Sequence, residues 1–299
     1  MSLNKNRSNA MPNYIQEYAK KNNLTVAQVE QLYKVEKDLA QKLRNSTKAE
    51  RKYLYSHVYD ELFQKIPFHP QLINTDPEAN LQWSHSRMRL IREFLPPEAT
   101  FLEVGSGDCC LALEVAKLVR KVYAVDVSNE ITKNISFPPN MELVISDGVN
   151  IPVSNSSIDV VYSDQLMEHL HPEDAIEQLQ NIYKALTPGG VYICHTPNRL
   201  SGPHDISGCY DETATGFHLQ EYLITDLYNL FKKVGFSQMS YYKSTENLQI
   251  KLPLTPATIK IIELSEHTLL KLPYSLRRKI ARSSIIFRGI SLVAVKPIT

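Results

Sequence analysis

From Thr100 the chain alternates between short apolar runs and segments of helical periodicity, and this alternation constrains the fold more than any other feature. TFLEV (100–104), KVYAVDV (121–127), MELVIS (141–146), IDVVYS (158–163) and VYICHT (191–196) read as strands. DCCLALEVAKLV (108–119), a short stretch near 128–134 and PEDAIEQLQNIYKAL (172–186) read as the helices between them. Several of the strands are apolar throughout, which suits a sheet covered on both faces, and strands separated by helices imply parallel crossovers. The expected fold class is therefore α/β, a doubly wound, Rossmann-like, mainly parallel sheet. A helix at roughly 219–234, stopped by Gly235, leads to two further strands, FSQMSYYKS (236–244) and GISLVAVKP (289–297).

The flanks read differently. LTVAQVEQLYKVEKDLAQKLR (24–44) and KAERKYLYSHVYDELFQKI (48–66) have helical spacing, the second halted by Pro67, and EANLQWSHSRMRLIREFL (78–95) is a further helix closed by Pro96-Pro97. Residues 251–284 look largely helical. If 289–297 pairs with 236–244, that piece is an excursion, and such caps tend to sit over the ligand crevice of an open α/β sheet. The organisation expected is an N-terminal helical region and lid (1–97), a core (98–249), a helical cap insertion (250–288) and a final core strand (289–299).

With 43% hydrophobic and 22% charged residues the chain reads as globular, without an apolar run of the ~18–20 residues that a transmembrane helix needs. Its first residues are polar and lack the apolar core of a signal peptide. Cysteines 109, 110, 194 and 209 show no C-x-x-C spacing, so neither a disulfide framework nor a zinc site is expected, and a reducing cytoplasm is the simplest location. Charge is uneven: residues 1–66 carry 12 Lys/Arg against 7 Asp/Glu, 67–250 carry 12 against 23, and 251–299 carry 9 against 2. The basic flanks suit an anionic substrate, a membrane surface or an acidic partner, or simply complement the acidic middle.

Chemistry concentrates in FLEVGSGDCC (101–110). A dinucleotide fingerprint would be G-x-G-x-x-G, but the third glycine position is Cys110. Gly105 and Gly107 let a ligand approach the backbone closely, and the following helix start favours an anionic group. Glu103 and Asp108 would repel a pyrophosphate, whereas a ligand combining ammonium, carboxylate and nucleoside fits the mixture. S-adenosylmethionine is such a ligand. Asp126 ends the second strand, where a carboxylate can accept both ribose hydroxyls, and Asp108 suits an N-cap.

The series E103-V-G-S-G107, V125-D126, S146-D147-G148, D159-V-V-Y-S-D-Q-L-M-E-H-L170 and L186-T-P-G-G190 resembles the class I S-adenosylmethionine-dependent methyltransferases, over roughly residues 98–245 and the final strand. The resemblance implies S-adenosyl-L-methionine as cofactor and an antiparallel last strand. Glu103, Gly105, Ser106 and Gly107 would face its methionine part, Asp126 and Val127 its ribose side, Asp147 its adenine amino group, with Gly148 and Val149 against the ring. Asp164 and Gln165 would line the methionine side. One departure is Cys109, which stands where the family usually has a third glycine.

Methyl transfer chiefly needs an aligned nucleophile and, for a hydroxyl or ammonium, removal of a proton. SDQLM (163–167) is not the N/D-P-P-Y/F type of many base and glutamine-amide methyltransferases, and no Pro-Cys pair is present. The segment is more similar to small-molecule enzymes of the quinone, sugar and natural-product kind. His169, His204 and His218 are the candidate bases, since histidine titrates near neutrality. Against this, His169 could orient its own loop and His218 could cap the next helix. Histidine spacing matches no standard ligand motif, so no metal is expected. Trp83, His85 and Arg87 suit either a packed tryptophan or a lid, and SLRRKIARS (275–283) either a site for a phosphate-bearing or carrier-bound substrate or solvated charge.

The expected activity is methylation of O, N or C of a small metabolite, with a small-molecule acceptor as partner and nucleic acid disfavoured. The alternatives are a protein or RNA methyltransferase and a non-catalytic cofactor-binding module.

Overall fold

The computed structural model describes residues 11–73, 77–128, 132, 133, 135–244 and 249–298. Its centre is a sheet of eight strands: β1 (Thr100–Val104), β2 (Lys121–Asp126), β3 (Met141–Ile145), β4 (Ile158–Asp164), β5 (Leu186–Pro197), β6 (Gln238–Ser244), β7 (Gln249–Pro253) and β8 (Gly289–Val295). Their order is β3-β2-β1-β4-β5-β8-β6-β7. The first five are mutually parallel, while β8 runs antiparallel to both β5 and β6, and β7 antiparallel to β6. Central strand β1 is buried at all five positions, as its unbroken apolar run requires.

Ten α-helices accompany the sheet among the described residues: α1 (Met11–Lys21), α2 (Val26–Asn45), α3 (Lys48–Lys65), α4 (Pro70–Ile73), α5 (Pro77–Ile91), α6 (Cys110–Ala116), α7 (Pro172–Ala185), α8 (Ile224–Val234), α9 (Pro256–Leu270) and α10 (Tyr274–Ser283). Successive β1 residues send their side chains to opposite faces of the sheet, and each face has its own core. Phe101 packs with Met88 and Ile91 of α5 and Leu111 and Val115 of α6. Leu102 and Val104 share a core with Leu39 of α2, Leu62 of α3, Leu179 of α7 and Phe231 of α8. The N-terminal helices are thus part of the layer over one sheet face.

Three elements depart from the sequence expectation. Residues 249–253 form strand β7 where a helix is expected from 251, because an edge position beside β6 supplies hydrogen-bond partners that local propensity does not reveal. The helix expected over 108–119 starts at Cys110: Cys109 has a left-handed φ of 58°, and the Asp108 carboxylate accepts the Cys110 N–H at 3.1 Å. The helix expected from 219 starts at Ile224, since Tyr222 pairs with Asn198 and Asp226 accepts the Leu223 N–H at 3.0 Å. The stretch near 128–134 lies largely outside the described residues.

A buried ion pair fixes α3 on the start of α7. Arg51 Nε donates to Asp174 Oδ2 at 2.6 Å and its Nη2 to Asp174 Oδ1 at 3.1 Å, with both residues nearly inaccessible. Arg51 also donates to the Ser46 carbonyl and to Glu173, and the Tyr55 hydroxyl donates to Asp174 at 2.7 Å while accepting the His171 N–H. Burial of a charge is tolerated only with such pairing. Removing the carboxylate in Asp174→Ala leaves Arg51 under-paired and should cost about 3–5 kcal/mol in urea unfolding. Lys48→Ala removes only the exposed Lys48–Glu177 pair and should leave the urea midpoint nearly unchanged.

Candidate active site

The sheet reverses its winding between β1 and β4, which are adjacent and parallel but lead to β2 on one side and β5 on the other. A crevice opens at the carboxyl ends of such strands. Here it becomes a cavity of about 550 Å³, walled on the sheet side by Gly105, Gly107, Asp126, Ser146, Gly148 and Gln165, and on the other by Tyr55, Tyr59 and Phe63 of α3 with Pro70 and Gln71 of α4.

The glycine turn is shaped by φ angles of +73° at Gly105 and +51° at Gly107, which only glycine adopts without strain. A Cβ on Gly107 would meet no atom within 4 Å, whereas one on Gly105 would stand 3.0 Å from Leu166. Cys109 takes the same left-handed backbone, with its buried thiol 3.5 Å from the Ser106 hydroxyl. Ser106 is itself buried behind the turn.

The acids separate into different roles. Asp126 faces the cavity and accepts N–H groups from Gly107 at 2.8 Å, Val127 at 2.7 Å and Ser128 at 3.3 Å, and burial raises its pKa against those bonds. Glu103 is buried just behind the wall, and its Oε2 has no hydrogen-bond partner among the described residues. Burial, reinforced by Asp108 and Asp164, pushes its carboxyl well above the usual range. Asp147 is turned onto its own loop, accepting N–H groups of Val149 and Asn150, so the cavity is lined by its neighbours Ser146 and Gly148 instead. Val149 packs in the core rather than on the wall. Asp164 is held by Arg87 at 2.6 Å and by the Tyr162 hydroxyl at 2.8 Å, leaving Gln165, with φ +53°, on the cavity.

Of the candidate histidines, two meet at one end of the cavity and one does not. His169 lines the wall, its ring 4.9 Å from that of His218 in an edge-to-face arrangement. His169 Nδ1 contacts the Phe217 carbonyl at 3.1 Å, and His218 Nδ1 contacts Glu221 Oε1 at 2.8 Å. Burial, aided by His218, drives His169 down to about 3. Burial also opposes charge on His218, but Glu221, Glu168 and Asp205 lift it to about 9. Burial raises Glu168 to about 7. His204 lies off the cavity, its Nε2 on the Ser201 hydroxyl and the Asn198 carbonyl and its backbone N–H on Glu221. His218 caps no helix, since α8 begins at Ile224 with Leu223 at its N-cap.

The enclosure also differs from expectation. No residue of 250–288 lines the cavity. Instead, Arg278 and Arg282 of α10 donate to the carbonyls of Gly208 and Ser201, bracing the loop after β5. Trp83 is exposed, with the Arg87 guanidinium over its ring, and it forms no part of the wall. The cover is α3, whose Tyr55, Tyr59 and Phe63 recur every four residues on one side of the helix. That aromatic spacing is visible in the sequence, as is Glu168 beside His169, although only the tertiary packing gives either a place at the site.

Residues 102–194 match the family profile described as a methyltransferase domain. A Mycolicibacterium smegmatis protein named a probable S-adenosylmethionine-dependent methyltransferase is 28% identical over 136 residues, 45% of this chain and 51% of that protein. Ribosomal protein L11 methyltransferase of Listeria innocua is 28% identical over 115 residues, 36% of this chain and 34% of that enzyme. A solved structure of a complex between the Haloferax volcanii Trm112 methyltransferase activator and a methyltransferase shares the fold, with a TM-score of 0.54 and 17% identity over 76% of this chain and 96% of that one. Over this part of the chain the protein is similar to S-adenosylmethionine-dependent methyltransferases. It spans about half the length of the first of these curated relatives.

The glycine turn yields a stability test. Gly105→Ala and Gly107→Ala each force a left-handed alanine, at about 1–2 kcal/mol. Only Gly105→Ala also presses on Leu166, so it should lower the thermal midpoint more than Gly107→Ala does.

Proposed function

We propose that this chain is an S-adenosylmethionine-dependent methyltransferase acting on O, N or C of a small metabolite. The observation that carries the reading is the single cavity that joins the glycine turn and Asp126 to the aromatic wall of α3 and His169. Its volume is that of a small-ligand site rather than an open groove for a macromolecule. The match to the L11 enzymes covers the shared core and does not argue for a protein acceptor.

The residues present suit the cofactor. Open space above Gly107 leaves room for a ligand against the backbone, and the unpartnered oxygen of Glu103 is available to an ammonium, directly or through water. When bound, S-adenosylmethionine supplies a methyl group activated by a sulfonium. A carboxylate has about four acceptor positions, and Asp126 already uses three. To receive two ribose hydroxyls it must release the Gly107 N–H, so the turn adjusts on binding. Gly148, held by Gln178 through its carbonyl at 2.7 Å, borders the adenine side, and Tyr55 packs over it. The α3 aromatics, as the lid, exclude water from the reacting end. His169 borders the acceptor space as a neutral imidazole with His218 packed against its ring, and His204 shapes the loop after β5.

Isothermal titration tests the reading. S-adenosylmethionine and its demethylated product should bind with micromolar affinity while NAD does not, and Asp126→Ala should lose that binding; binding of NAD alone, or of none of them, would overturn it. Titrating at several pH values adds a second expectation. Burial keeps a proton on Glu103 at pH values where an ordinary carboxyl is ionised. An ammonium needs the ionised form, so cofactor affinity should fall as pH is lowered through the raised Glu103 pKa. Glu103→Gln should flatten that dependence and weaken binding near neutrality by roughly tenfold or more.

A further inference from the structure

We infer that Glu168, His169 and His218 form a binding site for a divalent transition-metal ion at the acceptor end of the cavity. Each residue brings one ligand atom within 4.8 Å of the other two. Ligand atoms on a shell of about 2.1 Å radius stand roughly 3–3.5 Å apart, so closure asks each side chain to move by about 1 Å.

The surroundings of the three side chains match what metal ligands require. In both imidazoles Nδ1 is already engaged, by the Phe217 carbonyl for His169 and by Glu221 for His218, which leaves Nε2 as the ligand nitrogen. Outer carbonyl and carboxylate partners of this kind fix the tautomer and orientation of metal-ligating histidines. Glu168 is fully buried; Oε2 accepts the Thr196 hydroxyl at 2.8 Å, while Oε1 has no hydrogen-bond partner among the described residues. A buried carboxylate oxygen left without a donor is costly, and a cation satisfies it.

Local charge agrees. Asp205 accepts the His218 backbone N–H and Glu221 its ring nitrogen; with Glu168 these are three carboxylates around one position. The Arg44 guanidinium donates to the carbonyls of Thr215, Gly216 and His218. Two imidazoles and one carboxylate favour zinc, iron(II), manganese, cobalt or nickel over the oxygen-preferring calcium and magnesium. Sequence spacing hides the set, because Glu168 and His169 follow β4 while His218 stands before α8, and only the fold joins them.

Because His169 lies on the cavity wall, an ion held there would adjoin the cavity. The acceptor class this favours is a hydroxyl compound able to ligate a metal, a role that rests on the methyl-transfer reading, whereas the site itself does not. A hydroxyl bound there gives its proton to water more readily. It keeps the electron pair that forms the bond to the methyl carbon, as the carbon–sulfur bond breaks toward sulfur.

The test uses the full chain stripped with a chelator and dialysed against Zn²⁺, Mn²⁺ or Co²⁺ without cofactor. About one ion per chain is expected, with a visible cobalt spectrum of nitrogen and oxygen ligation. Glu168→Gln and His218→Ala should each weaken binding at least tenfold, and His204→Gln should not, with circular dichroism reporting the fold of each variant. If a variant fails to fold, nitrogen-15 chemical shifts of the wild-type histidines decide, since metal at Nε2 of His169 and His218 must shift both. Unchanged shifts, no stoichiometric ion, or binding indifferent to Glu168 and His218 would overturn the site. Cofactor titration of the metal-free protein is scored separately, so either reading can fail without the other.

Discussion

The reversal of winding between β1 and β4 is the constraint on which the rest depends. Parallel strands whose connections depart in opposite directions cannot cover the gap between their own ends. Into that gap the chain places its tightest turn, the glycine loop after β1, and its left-handed Gln165 after β4. Because β1 is buried at every position, the turn is carried on a rigid support. Catalytic and binding groups are held most accurately when they leave such elements.

Closing the gap falls to a helix far away in sequence. The α3 segment reaches the crevice because Arg51 and Tyr55 are bonded to Asp174 at the start of α7, which directly follows the β4 loop. The same few residues therefore join the N-terminal layer, the aromatic cover and the loop that carries Glu168 and His169. Tyr55 serves on both sides, its hydroxyl in the ion-pair network and its ring against Gly148. Burying so many polar groups is tolerated because nearly every one finds a partner. Three carboxylate oxygens beside the crevice, Glu103 Oε2, Asp164 Oδ1 and Glu168 Oε1, are buried without a hydrogen-bond partner among the described residues.

Much of the architecture was legible before any coordinates. β1 and β4 are runs rich in apolar residues, and their boundaries hold to within a residue. Strand β7 was not legible, since a five-residue edge strand that is mostly exposed has no apolar pattern to distinguish it from the start of a helix. Among the site residues, Gly105, Gly107, Asp126, Val127, Gly148, Gln165 and His169 line the cavity, each at or beyond the carboxyl end of a strand. Asp147 and Asp164 are at the expected strand ends too, but a carboxylate there has competing donors. Neighbouring N–H groups took the first and Arg87 the second.

The sequence by itself determined the strand succession, the glycine turn and the acids around it, because these depend on local periodicity and on the fixed spacing of a strand, a turn and a helix. Tertiary structure alone decided which segment covers the crevice and which histidines come together. Tyr59 and His169 are far apart in sequence yet share one wall, and His218 reaches His169 from a loop across the sheet end. Such meetings are set by the packing of whole layers, and no local pattern of residues specifies them.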